Sequence, residues 1–143
     1  MALIKWSAAT DLENIATAPL QGLSVSGTAE LADIDNTNSS DRRLLNCMFR
    51  ISLASLNPSG APSMTIRMYR KVGGVGPSRS ATVFAGESFI IPMLTGAGAR
   101  AYDSPVFRLV GPFIFGVEII NNTNVNFAAS GNSVIPTVWT EDV

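Results

Sequence analysis

Between Gly111 and Thr140 the apolar residues recur at every second position, and each break in the pattern carries turn chemistry. Phe113, Phe115, Val117 and Ile119 alternate with other residues, which places them on one face of an extended strand. Asn121-Asn122-Thr123-Asn124 then interrupts the run. A short strand is expected next, followed by a turn at Gly131-Asn132. Val134, Pro136 and Val138 restart the alternation. This period does not suit a helix, whose buried stripe repeats every three to four residues.

The rest of the chain follows the same rule. The strongest strand runs from Leu44 to Leu56, with Leu45, Cys47, Phe49, Ile51 and Leu53 on its inner face. Asn46, Met48, Arg50 and Ser52 face the other way. Asn57-Pro58-Ser59-Gly60 makes a turn, and Met64, Ile66 and Met68 begin a new alternation. These two strands are expected to form an antiparallel pair. Further strands are expected at 23–33, interrupted at Gly27, and at 81–84, 88–94 and 106–110. The Gly-, Ala- and Ser-rich stretches 72–80 and 95–104 are expected to be loops, as is the Asp35–Ser40 cluster. One or two helical turns are expected over Asp11–Ala18, capped by Asp11 and ended by Pro19. About eight strands and little helix define an all-β fold: an antiparallel β-sandwich, jelly-roll-like. With 143 residues the chain is expected to hold one domain at 21–143, preceded by an arm or edge strand at 1–20.

Catalytic chemistry finds few residues to work with. The chain has no histidine, so no Ser-His-Asp or Cys-His arrangement can be built. Its one cysteine, Cys47, lies in an apolar run and is read as a small buried residue. Zinc sites of the usual His and Cys ligands are excluded. The Asp33–Asn38 segment is the best match to a calcium loop, but it lacks the glycine and the closing glutamate of that motif and is read as an Asx-type turn. No carboxylate pair is marked by its context as a glycosidase pair. Gly73-Gly74-Val75-Gly76-Pro77 lacks the lysine and hydroxyl residue of a phosphate loop. Arg67, Tyr69, Arg70 and Lys71 interleave bases with an aromatic, yet the net charge is −1, so nucleic acid is not an expected partner. No stretch approaches the roughly 20 apolar residues of a membrane span, and Met1–Ile15 lacks the pattern of a signal peptide. Synthesis in a cytoplasm is expected, with no cofactor, no metal, no membrane partner and no catalytic residue. The Asn38-Ser39-Ser40 and Asn121-Asn122-Thr123 matches to the glycosylation pattern are then accidental.

Charge is scarce and unevenly spread. Charged residues make up 15% of the chain, against about 25% in average soluble domains. Either part of the surface meets other subunits, or Ser, Thr and Asn take the place of charge. Six acids and no base lie between Trp6 and Asp41, and seven bases and no acid lie between Arg42 and Ala85. The two segments either pair within one subunit or reach across to another. Eight of the ten bases are Arg, which suits planar pairing at interfaces. The candidate interface residues are therefore Trp6, Arg42, Arg43, Arg50, Arg67, Arg70, Lys71 and Arg79. No site residue for catalysis, metal or cofactor is assigned.

The closing block supplies a resemblance. Gly111-Pro112-Phe113, then Asn121-Asn122-Thr123, then Ala128-Ala129-Ser130-Gly131-Asn132-Ser133 resembles the end of small β-sandwich virion proteins of tailed bacteriophages. The Ile34-Asp35-Asn36-Thr37 turn ahead of the long strand is similar to an earlier feature of that group. The matching stretches cover about a third of the chain. The resemblance implies a structural protein, most often a capsid decoration (cement) protein. It would bind the major capsid protein on the outside of the assembled head, as a homo-oligomer such as a trimer. It also leaves room for a tail, collar or fibre component. A carbohydrate- or receptor-binding module is a further alternative, weakened by the presence of only two Trp and two Tyr. A self-assembling jelly-roll shell protein of a small virus is another, for which 143 residues are short and no basic genome-packing arm is present. Asn122, Gly131 and Asn132 are expected to form turns and to hold no ligand.

Overall fold

The computed structural model describes residues 5–37, 45–71 and 86–142. Its strands are β1 (Lys5–Trp6), β2 (Thr10–Asp11), β3 (Thr28–Glu30), β4 (Ile34–Asp35), β5 (Leu45–Leu56) and β6 (Ser63–Lys71). They continue with β7 (Glu87–Pro92), β8 (Gly98–Asp103), β9 (Phe107–Leu109), β10 (Ile114–Asn121) and β11 (Ser133–Asp142). Two antiparallel sheets face each other. In the first, β1 and β2 lie along one side of β11, β5 lies along the other, and β8 and β9 follow. In the second, β3 and β4 lie along β10, followed by β6 and β7. Joining each pair of short collinear strands leaves eight positions, in the spatial orders first-eighth-third-sixth and second-seventh-fourth-fifth. This nesting of the chain's ends around its middle is jelly-roll-like.

The alternation fixes which residues enter the core. Cys47, Phe49, Ile51 and Leu53 of β5 are buried, as are Met64, Ile66 and Met68 of β6 and Phe115, Val117 and Ile119 of β10. Phe107 joins the two layers at one side. Its ring meets Phe49 of the first sheet edge-on at 5.4 Å and Phe89 of the second at 4.9 Å. Such aromatic pairs add about 1 kcal/mol each beyond the area they bury.

The strand partners differ from the simplest reading of the sequence. β5 and β6 do not form a hairpin: β5 pairs with β11, and β6 pairs with β10. Residues 57–62 instead arch from one sheet to the other, a gap of about 10 Å that six residues span easily. The arch is held by its own carbonyls, since Gly96 N donates to Pro58 O (3.0 Å) and Met93 N to Pro62 O (2.9 Å). β10 and β11 are likewise in different sheets, and residues 122–132 form a second arch beside the first, with no strand between the two. Gly98–Asp103 is a strand and not a loop. Its inward positions are Arg100 and Tyr102, opposite Leu53 and Ile51, so it shows no apolar alternation.

The N-terminal segment is an edge strand built around a proline. Pro136 sits inside β11, which is paired on both sides. Leu12 N donates to Pro136 O (2.8 Å), so the even-numbered groups of β11 point toward the N-terminal segment and not toward β5. The missing N–H of Pro136 therefore costs the β5 ladder nothing. Side chains take the neighbouring donors: Val134 N donates to Asn14 Oδ1 and Thr140 N to Ser7 Oγ, both at 2.8 Å. The pairing slips by one residue between Ser7 and Thr10 and again before Ile15, which divides this edge into β1 and β2. The expected helix over Asp11–Ala18 is absent. Asp11 belongs to β2, and a single 3-10 turn spans Ala18–Leu20. Pro19 is the second residue of that turn and does not end one, because its fixed φ suits the first helical positions.

Candidate interaction surfaces

The turn residues of the closing block are structural knots at one end of the sandwich. Asn121 is fully buried and uses both halves of its amide. Its Oδ1 accepts from Thr123 N (2.9 Å), and its Nδ2 donates to Leu23 O (3.1 Å) and Val125 O (2.8 Å). Asn132 Oδ1 accepts from Ala54 N (3.0 Å), and its Nδ2 donates to Ala128 O (2.9 Å) and Leu20 O (3.3 Å). The two arches are tied together by Ser59 and Asn124: Ser59 N donates to Asn124 Oδ1 (2.9 Å), and Asn124 Nδ2 to Ser59 Oγ (2.8 Å). Gly131 adopts φ +83°, a left-handed conformation that favours glycine. These amides are consumed in holding the fold.

The candidate basic residues do not share one surface. Arg50 lies on the outer face of the first sheet, where its guanidinium forms a two-pronged pair with Asp103 at 2.8 and 2.9 Å. That contact lowers the Asp103 pKa and raises that of Arg50. Arg67, Arg70 and Lys71 lie on β6 in the second sheet. Arg67 stands in a row across that sheet, Glu30–Glu118–Arg67–Ser88, with Arg67 Nη1 3.4 Å from a Glu118 carboxylate that is 1% exposed. Lys71 Nζ lies 2.7 Å from Asp33, whose hydrogen bond raises the lysine pKa. Of these three pairs only Lys71–Asp33 joins the acidic segment to the basic one; Arg50 and Arg67 take carboxylates from later strands, Asp103 of β8 and Glu118 of β10. The backbone of Trp6 pairs with Glu141 in β1, and its side chain lies outside the description. Arg42, Arg43 and Arg79 lie outside the described residues, as does the strand expected at 81–84.

Arg70 is the exception. It makes no ion pair among the described residues; its guanidinium lies over the Phe113 ring, 5.2 Å from the centroid. It is exposed, at the end of the sandwich opposite the two arches. There a cleft of about 480 Å³ opens between the sheets, lined by Met68, Arg70, Glu87, Arg108, Val110 and Phe115. Sequence reasoning missed Glu87 and Arg108 because they come from a strand start and from a strand too short to show a period.

Other chemistry is structurally quiet. Cys47 is buried, and burial pushes its thiol pKa up to about 12, the opposite of what a nucleophile needs. Asp33 and Asp35 do not converge: Asp33 holds Lys71, and Asp35 accepts from Thr37 N (2.8 Å) in an Asx turn that lowers its pKa. Among the described residues no cluster of His, Cys, Asp or Glu has the arrangement of a metal site. No helix of the described residues is long and apolar enough to cross a membrane.

No family model matches the chain, and no curated protein matches it. Among solved structures it is similar to the crystal structure of dimeric latent PorU from Porphyromonas gingivalis, at 11% identity and a TM-score of 0.43. That match covers 97% of this chain but 13% of the PorU chain. A likeness at this level carries no argument about function.

Proposed function

We propose that this chain is a non-enzymatic structural protein of a tailed-bacteriophage virion, a decoration (cement) protein that binds the outer surface of the assembled head and stabilises it. The reading rests on one observation above the others: the closing block that resembles such proteins is the part of the chain that knots the sandwich, with Asn121 and Asn132 fully engaged in the fold. A cement protein needs a rigid body and repeated modest contacts, not a reaction centre. Each contact in such an assembly buries roughly 1,200–2,000 Å² in total, and repetition over a shell multiplies weak binding. The partner is the major capsid protein, the chain acts as a homo-oligomer, and no nucleic acid, membrane or cofactor is involved. The protein is made in the bacterial cytoplasm and ends on the capsid surface.

The end of the sandwich that carries Arg70 is the face proposed to meet the capsid. Arg70 there engages an aromatic ring and no carboxylate among the described residues, so it is available for an acidic partner group. The test is binding of the purified chain to undecorated heads, compared with an Arg70→Glu variant. Wild-type binding with clear weakening in the variant is expected. Wild-type failure to bind at any stoichiometry overturns the proposal. Regular copies confined to the tail in a map of the intact virion would favour a tail, collar or fibre role instead.

A further inference from the structure

We infer that β7 is a self-pairing edge, through which two copies of this chain join antiparallel about a two-fold axis at Ile90. Among the described residues, four of the six exposed large apolar side chains, Ile90, Leu94, Val106 and Val110, fall between residues 90 and 110. They lie on one side of the sandwich, where β7 ends the second sheet and β8 and β9 end the first. The Phe89–Phe107 contact places the two edges together. Ile90 is the most exposed of the group at 70%, although it sits in the middle of a strand.

Backbone geometry selects the occupant. Met93 N donates to Pro62 O, and the register pairs Ile91 with Met64 and Phe89 with Ile66. The odd-numbered groups of β7 therefore point to β6, and by alternation Ser88, Ile90 and Pro92 point away from it. No described strand lies on that side. The outward donors are the N–H groups of Ser88 and Ile90, because Pro92 has none.

A second copy placed antiparallel, with Ile90 opposite its own counterpart, uses all of them. The two Ile90 residues exchange two hydrogen bonds, and each Ser88 donates to the Pro92 carbonyl of the other copy. Pro92 stands at the position where no donor remains to be satisfied. A two-fold shifted by one residue, between Ser88 and Ile90, would also satisfy the donors, but it sets Ile90 against Ser88. Only the axis at Ile90 brings the two exposed Ile90 side chains together on the outer face of the continuous sheet. Natural edges are normally protected by charge, and here the one charged residue of the strand, Glu87, is at its end.

The experiment uses the full chain in two variants. Opposed Cα atoms in a hydrogen-bonded pair lie about 5.5 Å apart, within disulfide range. Ile90→Cys is therefore expected to form a covalent dimer under mild oxidation, while Ser130→Cys, on the exposed closing arch, does not. Light scattering of the wild type is expected to show concentration-dependent dimers, and Ile90→Lys to weaken that association at least tenfold. A wild type that stays monomeric, together with an Ile90→Cys variant that forms no cross-link, overturns the inference. So does any oligomer that persists unchanged in Ile90→Lys. The cross-link is read independently should Ile90→Lys fold poorly.

Discussion

Gln21 and Asn132 hold each other through two hydrogen bonds: Gln21 Nε2 donates to the Asn132 carbonyl at 2.9 Å, and Asn132 N donates to Gln21 Oε1 at 3.1 Å. The side-chain amide of Gln21 thus imitates a strand neighbour for a residue in the closing arch. Asn132 spends its own amide on Ala54, Leu20 and Ala128. Three separate chain segments meet at one asparagine: Leu20–Gln21, Ala54 and the closing arch itself.

Asn132→Ala should therefore destabilise the fold by about 3 kcal/mol, because it leaves several buried backbone groups without partners. Asn132→Asp, which keeps the acceptor for Ala54 but loses both donors, should be destabilised as well. Urea unfolding followed by Trp fluorescence measures both.

Gly116 and Tyr69 stand opposite each other on β10 and β6. A Cβ at Gly116 would lie 2.4 Å from Tyr69 Cε2 and 2.5 Å from Cζ. Gly116→Ala should cost about 1–3 kcal/mol by displacing the ring. In a Tyr69→Ala background the same substitution should cost much less, which a double-mutant cycle reads as coupling.

Stability should fall at alkaline pH. The Cys47 thiol titrates near 12 in the fold against 9.0 unperturbed, and Asp33 raises the Lys71 pKa above 10.5. Both contributions are complete below about pH 9 and are lost as pH rises through the folded values. Cys47→Ala should flatten the thiol's share of this loss in thermal melts between pH 8 and 11. Below that range a thiol reagent should label Cys47 only when the protein unfolds.

At acid pH the signs reverse. Asp103, lowered by Arg50, and Asp35, lowered by Thr37, stabilise the fold above 3.8, and that stability disappears as pH falls through their depressed values. Asp103→Asn should reduce the acid dependence, and the difference should shrink in high salt because the pair is exposed. Thermal melts from pH 2 to 6 at two ionic strengths give the comparison.

The alternation in β5, β6, β10 and β11 was legible because each of these strands turns its row of large apolar residues to the core, even where β6 and β10 also bury Tyr69 and Glu118 on the other face. The identity of their partners was not. Period-2 patterning says that Phe49 and Ile66 point into a core, but not whether Leu56 and Ser63 are joined by a hairpin or by an arch. β8 escaped notice because Arg100 and Tyr102 occupy its inward positions. Arg50 and Arg67 fall on the strands expected for them, but their carboxylate partners, Asp103 and Glu118, come from strands remote in sequence. Arg70 differs from the others only through its contact with Phe113, a relationship made by the fold.

The most direct measurement of the proposed role mixes the purified chain with undecorated heads of tailed bacteriophages and records stoichiometry by electron cryomicroscopy alongside the temperature of head disruption. Saturable, regularly spaced binding with a raised disruption temperature is the predicted result. Absence of binding at any ratio of protein to head would contradict the account.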